Sequence, residues 1–210
     1  MVKKKRTASS ARWIAEHESD IYVRMARERN YRSRARFKLE ELDARDHLLK
    51  PGMTVVDLGA APGGWSQYAR PRLGAKGRLV ALDVLPMEPL AGVDFIEGDF
   101  RTDAVLAAFE ACVGNAGVDL VLSDMAPNIS GVTSADQAAA MELAELALDF
   151  ACRHLCAQGA LLMKLFSGEG CDAFVASVRQ HFGKVVIRKP KASRARSREL
   201  YLLARSFRVV

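Results

Sequence analysis

Four apolar runs in this 210-residue chain end in a carboxylate, at Asp57, Asp83, Asp99 and Asp124, and a fifth, GALLMKLF, carries Lys164 in its interior. Like charges gathered at one place repel unless a cation or several hydroxyl donors sit among them. An ammonium inside an apolar strand is costly, so that position needs partners or a neutral amine, and a buried lysine can be tuned toward a general base. Such a set is equipped to hold a cationic ligand and to relieve a weak acid of its proton.

The first acid runs into a glycine-rich turn, Gly59-Ala60-Ala61-Pro62-Gly63-Gly64. The second glycine of a dinucleotide fingerprint is missing, and Trp65 and Ser66 stand where a phosphate cradle needs Lys and Ser/Thr. With no basic residue in the turn, its ligand is not a phosphate. A nucleoside bearing a sulfonium and an ammonium meets these conditions, and S-adenosylmethionine is such a molecule. Asp83 lies about twenty residues past Gly63, the interval at which an acid after the second strand reaches ribose hydroxyls. Asp99 is placed to accept from the adenine amino group, and Gly63 and Trp65 to give close backbone approach and an apolar wall. One Asp at a strand end is more often a cap or turn former; the set, with its glycine turn, carries the reading.

The elements that must hold these residues are legible as alternating patterns. Residues 31–49 have helical period, with an apolar stripe of Phe37, Leu39, Leu42, Leu48 and Leu49, ended by Pro51 and Gly52. Residues 53–59, 77–85, 93–99, 118–125 and 159–166 read as strands buried on both faces. Helical windows cover 64–73, 103–113, 134–155 and 171–182, the third opened by a capping-box pattern from Ser134 to Gln137. KVVIR and ELYLLAR follow with no helix between them, an antiparallel pair at a sheet edge. The expectation is an α/β, doubly wound, mostly parallel sheet with its ligands at the carboxyl ends of the strands. A basic arm over 1–30, flexible with short helical pieces, precedes a single domain over 31–210.

Charge is unevenly placed. The chain is +6 overall, yet residues 1–40 hold twelve basic against five acidic residues and 188–198 hold six basic and no acidic ones. The remainder is net acidic. Two basic blocks on an acidic body point to a polyanion, nucleic acid ahead of a lipid surface, since neither block has the pattern of a membrane-lying helix. No export signal follows Lys3 to Arg6, and no apolar run is long enough to span a bilayer. The four cysteines show no zinc spacing and read as reduced core thiols, which suits the cytoplasm. No metal constellation is visible.

VVDLGAAPGGWSQ, SDMAPNISG, KLFSGEG and KPKASRARSREL together resemble the FtsJ-like ribosomal RNA ribose 2′-O-methyltransferases, and SSARWIAEHESD with RSRARFKLEE extends the likeness to the bacterial large-subunit enzymes. The resemblance covers nearly the whole chain past residue 8. It implies a Rossmann-like methyltransferase fold with a seven-stranded sheet and one antiparallel strand near its edge. It also implies a catalytic tetrad at Lys38, Asp124, Lys164 and Glu199, and cofactor contacts at Gly63, Trp65, Asp83, Asp99 and Asp124. The implied substrate is a uridine ribose in 23S ribosomal RNA, met as rRNA or the 50S subunit through segments 3–36 and 188–198 of a monomer. Ser167 departs from the glutamine expected after KLF.

In that chemistry Lys164 is the base or the hydroxyl-orienting group, Asp124 and Glu199 fix it, and Lys38 helps position the acceptor ribose. Trp13, Tyr22 and Tyr31 are candidates for base stacking, packing of the arm on the domain being the commoner use of such residues. Three other readings stand beside this one: a nicotinamide-dependent oxidoreductase, a non-catalytic RNA-binding assembly factor that retains the pocket, and a methyltransferase acting on a base or on protein.

Overall fold

Strands without polar alternation must be covered on both faces, and the central ones over 54–58, 78–83 and 118–123 are, whereas the edge strand over 94–97, expected to be buried, has no buried residue because nothing pairs with its outer side in the sheet. The computed structural model describes residues 20–114, 117–194 and 196–209; the readings placed on Lys3 to Arg6 and Trp13 lie outside them. The elements run α1 (Ile21–Glu28), α2 (Ala35–Asp46), β1 (Thr54–Leu58), α3 (Gly64–Leu73), β2 (Arg78–Asp83), β3 (Asp94–Glu97), α4 (Asp103–Val113), β4 (Val118–Ser123), α5 (Thr133–His154), β5 (Leu155–Phe166), α6 (Cys171–His181), β6 (Phe182–Arg188) and β7 (Glu199–Phe207). The seven strands lie in the order β3-β2-β1-β4-β5-β7-β6. β7 alone runs against its neighbours, antiparallel to both β5 and β6.

Pleat parity decides which helices meet which side chains. Val56, Leu58, Val121, Leu161 and Met163 point to the face covered by α4, α5 and α6, where Phe109, Phe150 and Val178 fill the core. Val55, Leu120, Leu122, Leu162, Tyr201 and Leu203 point the other way, against Leu39 and Leu42 of α2 and Trp65, Tyr68 and Leu73 of α3. By the same parity, Asp57, Lys164 and Glu199 belong to the α2–α3 face.

The expected helix over 31–49 ends earlier, at Asp46, because His47 turns left-handed with φ 49°. Asp43 then caps the chain's exit, accepting from the N–H groups of Leu48 (2.8 Å) and Leu49 (2.9 Å), so both leucines enter the core from a turn. The second Asp43 oxygen accepts from the Tyr68 hydroxyl at 3.0 Å and faces Arg72, which locks α2 to α3. The capping box at Ser134 does not form. α5 opens at Thr133 with no side-chain cap, and Gln137 instead donates to the carbonyls of Phe166 (3.3 Å) and Glu169 (3.0 Å), tying the helix to the end of β5. The last part of the basic arm is helical: Asp20 caps α1 through the Tyr22 N–H, and Val23 and Ala26 are buried, Ala26 against Phe37 and Ala192.

Asp43→Ala strips partners from a buried N–H, a half-buried N–H and a buried phenol at once. It should cost about 2–4 kcal/mol of unfolding free energy in urea. A midpoint within error of the parent's would show that α2 is held by its leucines alone.

Candidate active site

β5 and β7 place Lys164 directly opposite Tyr201, and Glu199, two residues before Tyr201, shares its face. α2 packs over that face and brings Lys38 down onto it. The result is two ion pairs: Lys164 Nζ lies 2.8 Å from Asp124 Oδ1, and Lys38 Nζ lies 2.8 Å from Glu199 Oε1. Lys164 Nζ also donates to the Asp124 carbonyl oxygen at 2.8 Å, and the Tyr201 hydroxyl donates to Asp124 Oδ1 at 2.8 Å. Lys38 is only 7% exposed, and its ammonium sits 5.6 Å from the centre of the Tyr201 ring.

The charges settle one another. Burial by itself would raise the Asp124 carboxyl, but the Lys164 and Lys38 charges and the hydrogen bonds from Lys164 and Tyr201 outweigh it and hold the group below its ordinary value. Glu199 is held low in the same way, burial being overcome chiefly by Lys38. The Tyr201 phenol is pushed well above its ordinary value, by burial first and then by the charges of Asp124 and Glu199. It therefore stays a donor at any physiological pH.

The strand-end acids line up as the parallel order β3-β2-β1-β4 requires, and each already has a partner within the chain. Asp83 accepts from the N–H of Ala61 (2.8 Å) and of Leu85 (2.9 Å). Asp99 lies exposed past β3, gripped by Arg101 at 2.7 Å, whose hydrogen bonds keep it below its ordinary value. Asp124 has its lysine. The acid left over is Asp57, fully buried, with Oδ2 accepting from the Ser66 hydroxyl at 2.7 Å and Oδ1 without a partner among the described residues.

In the glycine turn, Gly59 has φ +76° and Gly63 φ +100°, and a side chain on Gly59 would meet the Met125 backbone nitrogen at 2.8 Å. The Ala61–Pro62 bond is cis. Trp65 does not form an apolar wall there. Its indole is buried, 5.8 Å from the Tyr201 ring, and its Nε1 donates to the Ala35 carbonyl at 2.9 Å, so the side chain braces α2 and only the backbone borders the turn.

Tyr201 lies outside the set of residues that the sequence singles out, although its spacing from Glu199 on a strand signals a shared face. Asp57 reads from the sequence as a strand end without a role, and its burial has no local signature. The basic segments are more engaged than their composition implies: Arg34 reaches Asp20 and the Ala192 carbonyl, Arg188 pairs with Asp46 at 2.9 Å, and Arg36 lies over the Tyr31 ring. Tyr22 and Tyr31 pack on Phe37. Arg24, Arg27, Arg29, Lys189, Lys191 and Arg198 are exposed. No cluster of three His, Cys, Asp or Glu suited to a metal occurs among the described residues, and none of their helices is long and apolar enough to cross a membrane.

Residues 31–207 match the FtsJ-like methyltransferase family. The chain is 60% identical over 203 residues to the ribosomal RNA large subunit methyltransferase E of Stenotrophomonas maltophilia, covering 97% of each, and 58% identical over the same length and shares to that of Xanthomonas campestris pv. campestris. Among solved structures it is similar to a ribosomal RNA methyltransferase from Plasmodium falciparum, with a TM-score of 0.76 and 28% identity over 84% of this chain and 98% of that one. An rRNA methylase from Clostridium thermocellum, at 16% identity and a TM-score of 0.55, shares the fold.

Asp57 makes stability depend on pH. Burial raises its carboxyl to about 7, the charges of Asp124 and Asp83 add to this, and the Ser66 hydroxyl offsets part. Between about pH 4 and pH 7 the folded chain keeps a proton that the unfolded chain releases, so this group's contribution falls as pH rises through that window. Asp57→Asn removes the slope. Relative to the parent it should gain stability between pH 5 and pH 8, by up to about 4 kcal/mol in urea unfolding; an equal pH slope in both proteins would refute the assignment.

Proposed function

Because the chain belongs to the FtsJ-like methyltransferase family, we propose that it transfers a methyl group from S-adenosylmethionine to the 2′-hydroxyl of a uridine ribose in 23S ribosomal RNA, in the cytoplasm and as a monomer. The observation that carries this reading is the juxtaposition of Lys164–Asp124 and Lys38–Glu199, two buried ammonium–carboxylate pairs at the carboxyl edge of the sheet.

The residues around the glycine turn suit the carrier. A turn whose own residues carry no basic side chain suits a nucleoside without phosphate, the neighbouring Arg32 guanidinium being held by the carbonyls of Pro62, Glu88 and Pro89. S-adenosylmethionine, when bound, supplies an electrophilic methyl group on a positively charged sulfur. Gly63 and the Trp65 backbone would border it. Asp83 uses one lone pair per oxygen on Ala61 and Leu85 and would offer the others to ribose hydroxyls, and Asp99 would accept from the adenine amino group.

Methyl transfer is an in-line displacement, so much of the acceleration comes from holding the attacking oxygen in place. Lys164 has two of its donor positions on Asp124. The third direction is left for the acceptor hydroxyl, which the Lys164 ammonium orients or which Lys164, after losing a proton to solvent, deprotonates as the neutral amine while the bond forms. Asp124 fixes that ammonium, Tyr201 fixes Asp124, and Lys38, held by Glu199, positions the ribose. The exposed basic residues of α1 and of segment 188–198 neutralise RNA phosphates without reading sequence.

The test is incubation of the purified chain with labelled methyl donor and large ribosomal subunits lacking the modification, followed by mapping of alkali-resistant linkages. One labelled ribose is expected. Lys164→Ala should bind donor and subunit normally while its single-turnover rate falls by about 10²–10⁴-fold. A rate close to the parent's would remove Lys164 from the chemistry; label on a base or on protein would overturn the reaction itself.

A further inference from the structure

The stretch between α1 and α2 lies on the glycine turn, and one guanidinium joins them. Arg32 Nη1 donates to the carbonyls of Glu88 (2.6 Å) and Pro62 (3.4 Å), and Nη2 donates to that of Pro89 (2.8 Å). Pro62 belongs to the turn after β1, and Glu88 and Pro89 to the loop after β2, the two loops assigned above to the methyl donor. The Arg32 N–H donates to Gln67 Oε1 at 3.0 Å, and the Gln67 amide donates back to the Asn30 carbonyl at 3.2 Å. Gln67 is itself in the first turn of α3, its N–H bonded to the Gly63 carbonyl.

The fit is close on both sides. A side chain on Gly63 would come within 2.9 Å of Arg32 Cδ and Nη1, and one on Gly64 within 2.1 Å of Ser33 Oγ. The next element along the chain is α2, which carries Lys38. A planar five-donor fork meets three carbonyls from two loops in a way that a single ammonium does not.

We propose that Arg32 is a positioning residue rather than a phosphate ligand: a strap that joins both donor loops to the segment leading into Lys38, so that donor binding and RNA binding are coupled through it. The proposal rests on the reading above. Ordering the loops around the donor seats the segment, and seating the segment on RNA orders the loops; the coupling is the same in both directions.

The experiment titrates S-adenosylhomocysteine calorimetrically into the full chain, Arg32→Ala, Arg32→Lys and Gln67→Ala without RNA, and measures binding to large ribosomal subunits across a salt series. Arg32→Ala should weaken S-adenosylhomocysteine about tenfold or more, Arg32→Lys should not restore it, and Gln67→Ala should weaken it to a smaller extent. The slope of log affinity against log salt should be the same in Arg32→Ala as in the parent, whereas loss of a phosphate contact lowers it by about one. Parental S-adenosylhomocysteine affinity in Arg32→Ala, full rescue by lysine, or a slope lowered by about one would each overturn the strap. Should Arg32→Ala fail to fold in a thermal melt, Arg32→Lys and Gln67→Ala carry the same comparison. A parent chain that binds no S-adenosylhomocysteine would defeat the methyltransferase reading itself, a result distinct from any outcome confined to the variants.

Discussion

Two ammonium–carboxylate pairs removed from water at the end of a sheet are the constraint to which the surrounding structure answers. Each ion is costly to bury, and the pair recovers that cost only with good geometry and further hydrogen bonds. Lys164 meets Asp124 twice, Tyr201 donates to the same carboxylate, and Lys38 meets Glu199. Well-packed apolar residues of similar volume would often hold such a site as well or better. Stability alone therefore does not account for the arrangement, whereas the proposed methyl transfer gives it a use.

Much of that arrangement follows from a period of two. Lys164, Tyr201, Glu199 and Asp57 share the face on which α2 and α3 pack, and a one-residue slip of β7 against β5 would turn Tyr201 and Glu199 to the opposite face. The strands and most helices were legible because buried parallel strands and amphipathic helices impose different periods on apolar residues. The pairing of β7 between β5 and β6 was legible only as an antiparallel pair, since neighbour order in a sheet is a tertiary choice. Leu48 and Leu49 looked helical because their spacing continues a stripe, and the left-handed turn at His47 that removes them depends on an Asp43 cap. Ser134 and Gln137 fit a capping pattern, but Gln137 finds carbonyls beyond β5 that no local window contains.

The acidic rim shows the same limit on the site itself. Sequence places carboxylates at successive strand ends and leaves their compensation open. In the folded chain each has a different remedy: backbone amides for Asp83, an exposed arginine for Asp99, a buried lysine for Asp124. Asp57 has one hydroxyl and keeps a proton up to about pH 7. The rim is thus less negative than a count of acids suggests, and its unmet demand is concentrated at Asp57.

Basic residues divide in a corresponding way. Arg34, Arg36 and Arg188, inside the blocks that read as RNA-binding, are engaged by carboxylates, rings and carbonyls of the chain, while α1 and segment 188–198 leave others in solvent. An arginine held by protein carbonyls adds little to counterion release, because its approach to a phosphate would break bonds already made. It does fix the shape on which the exposed cations are mounted. The segment that carries exposed cations at α1 becomes, within a few residues, a cover on the glycine turn and then the helix that delivers Lys38. Continuity of that one stretch gives a physical route by which contacts made at α1 would reach the paired lysines.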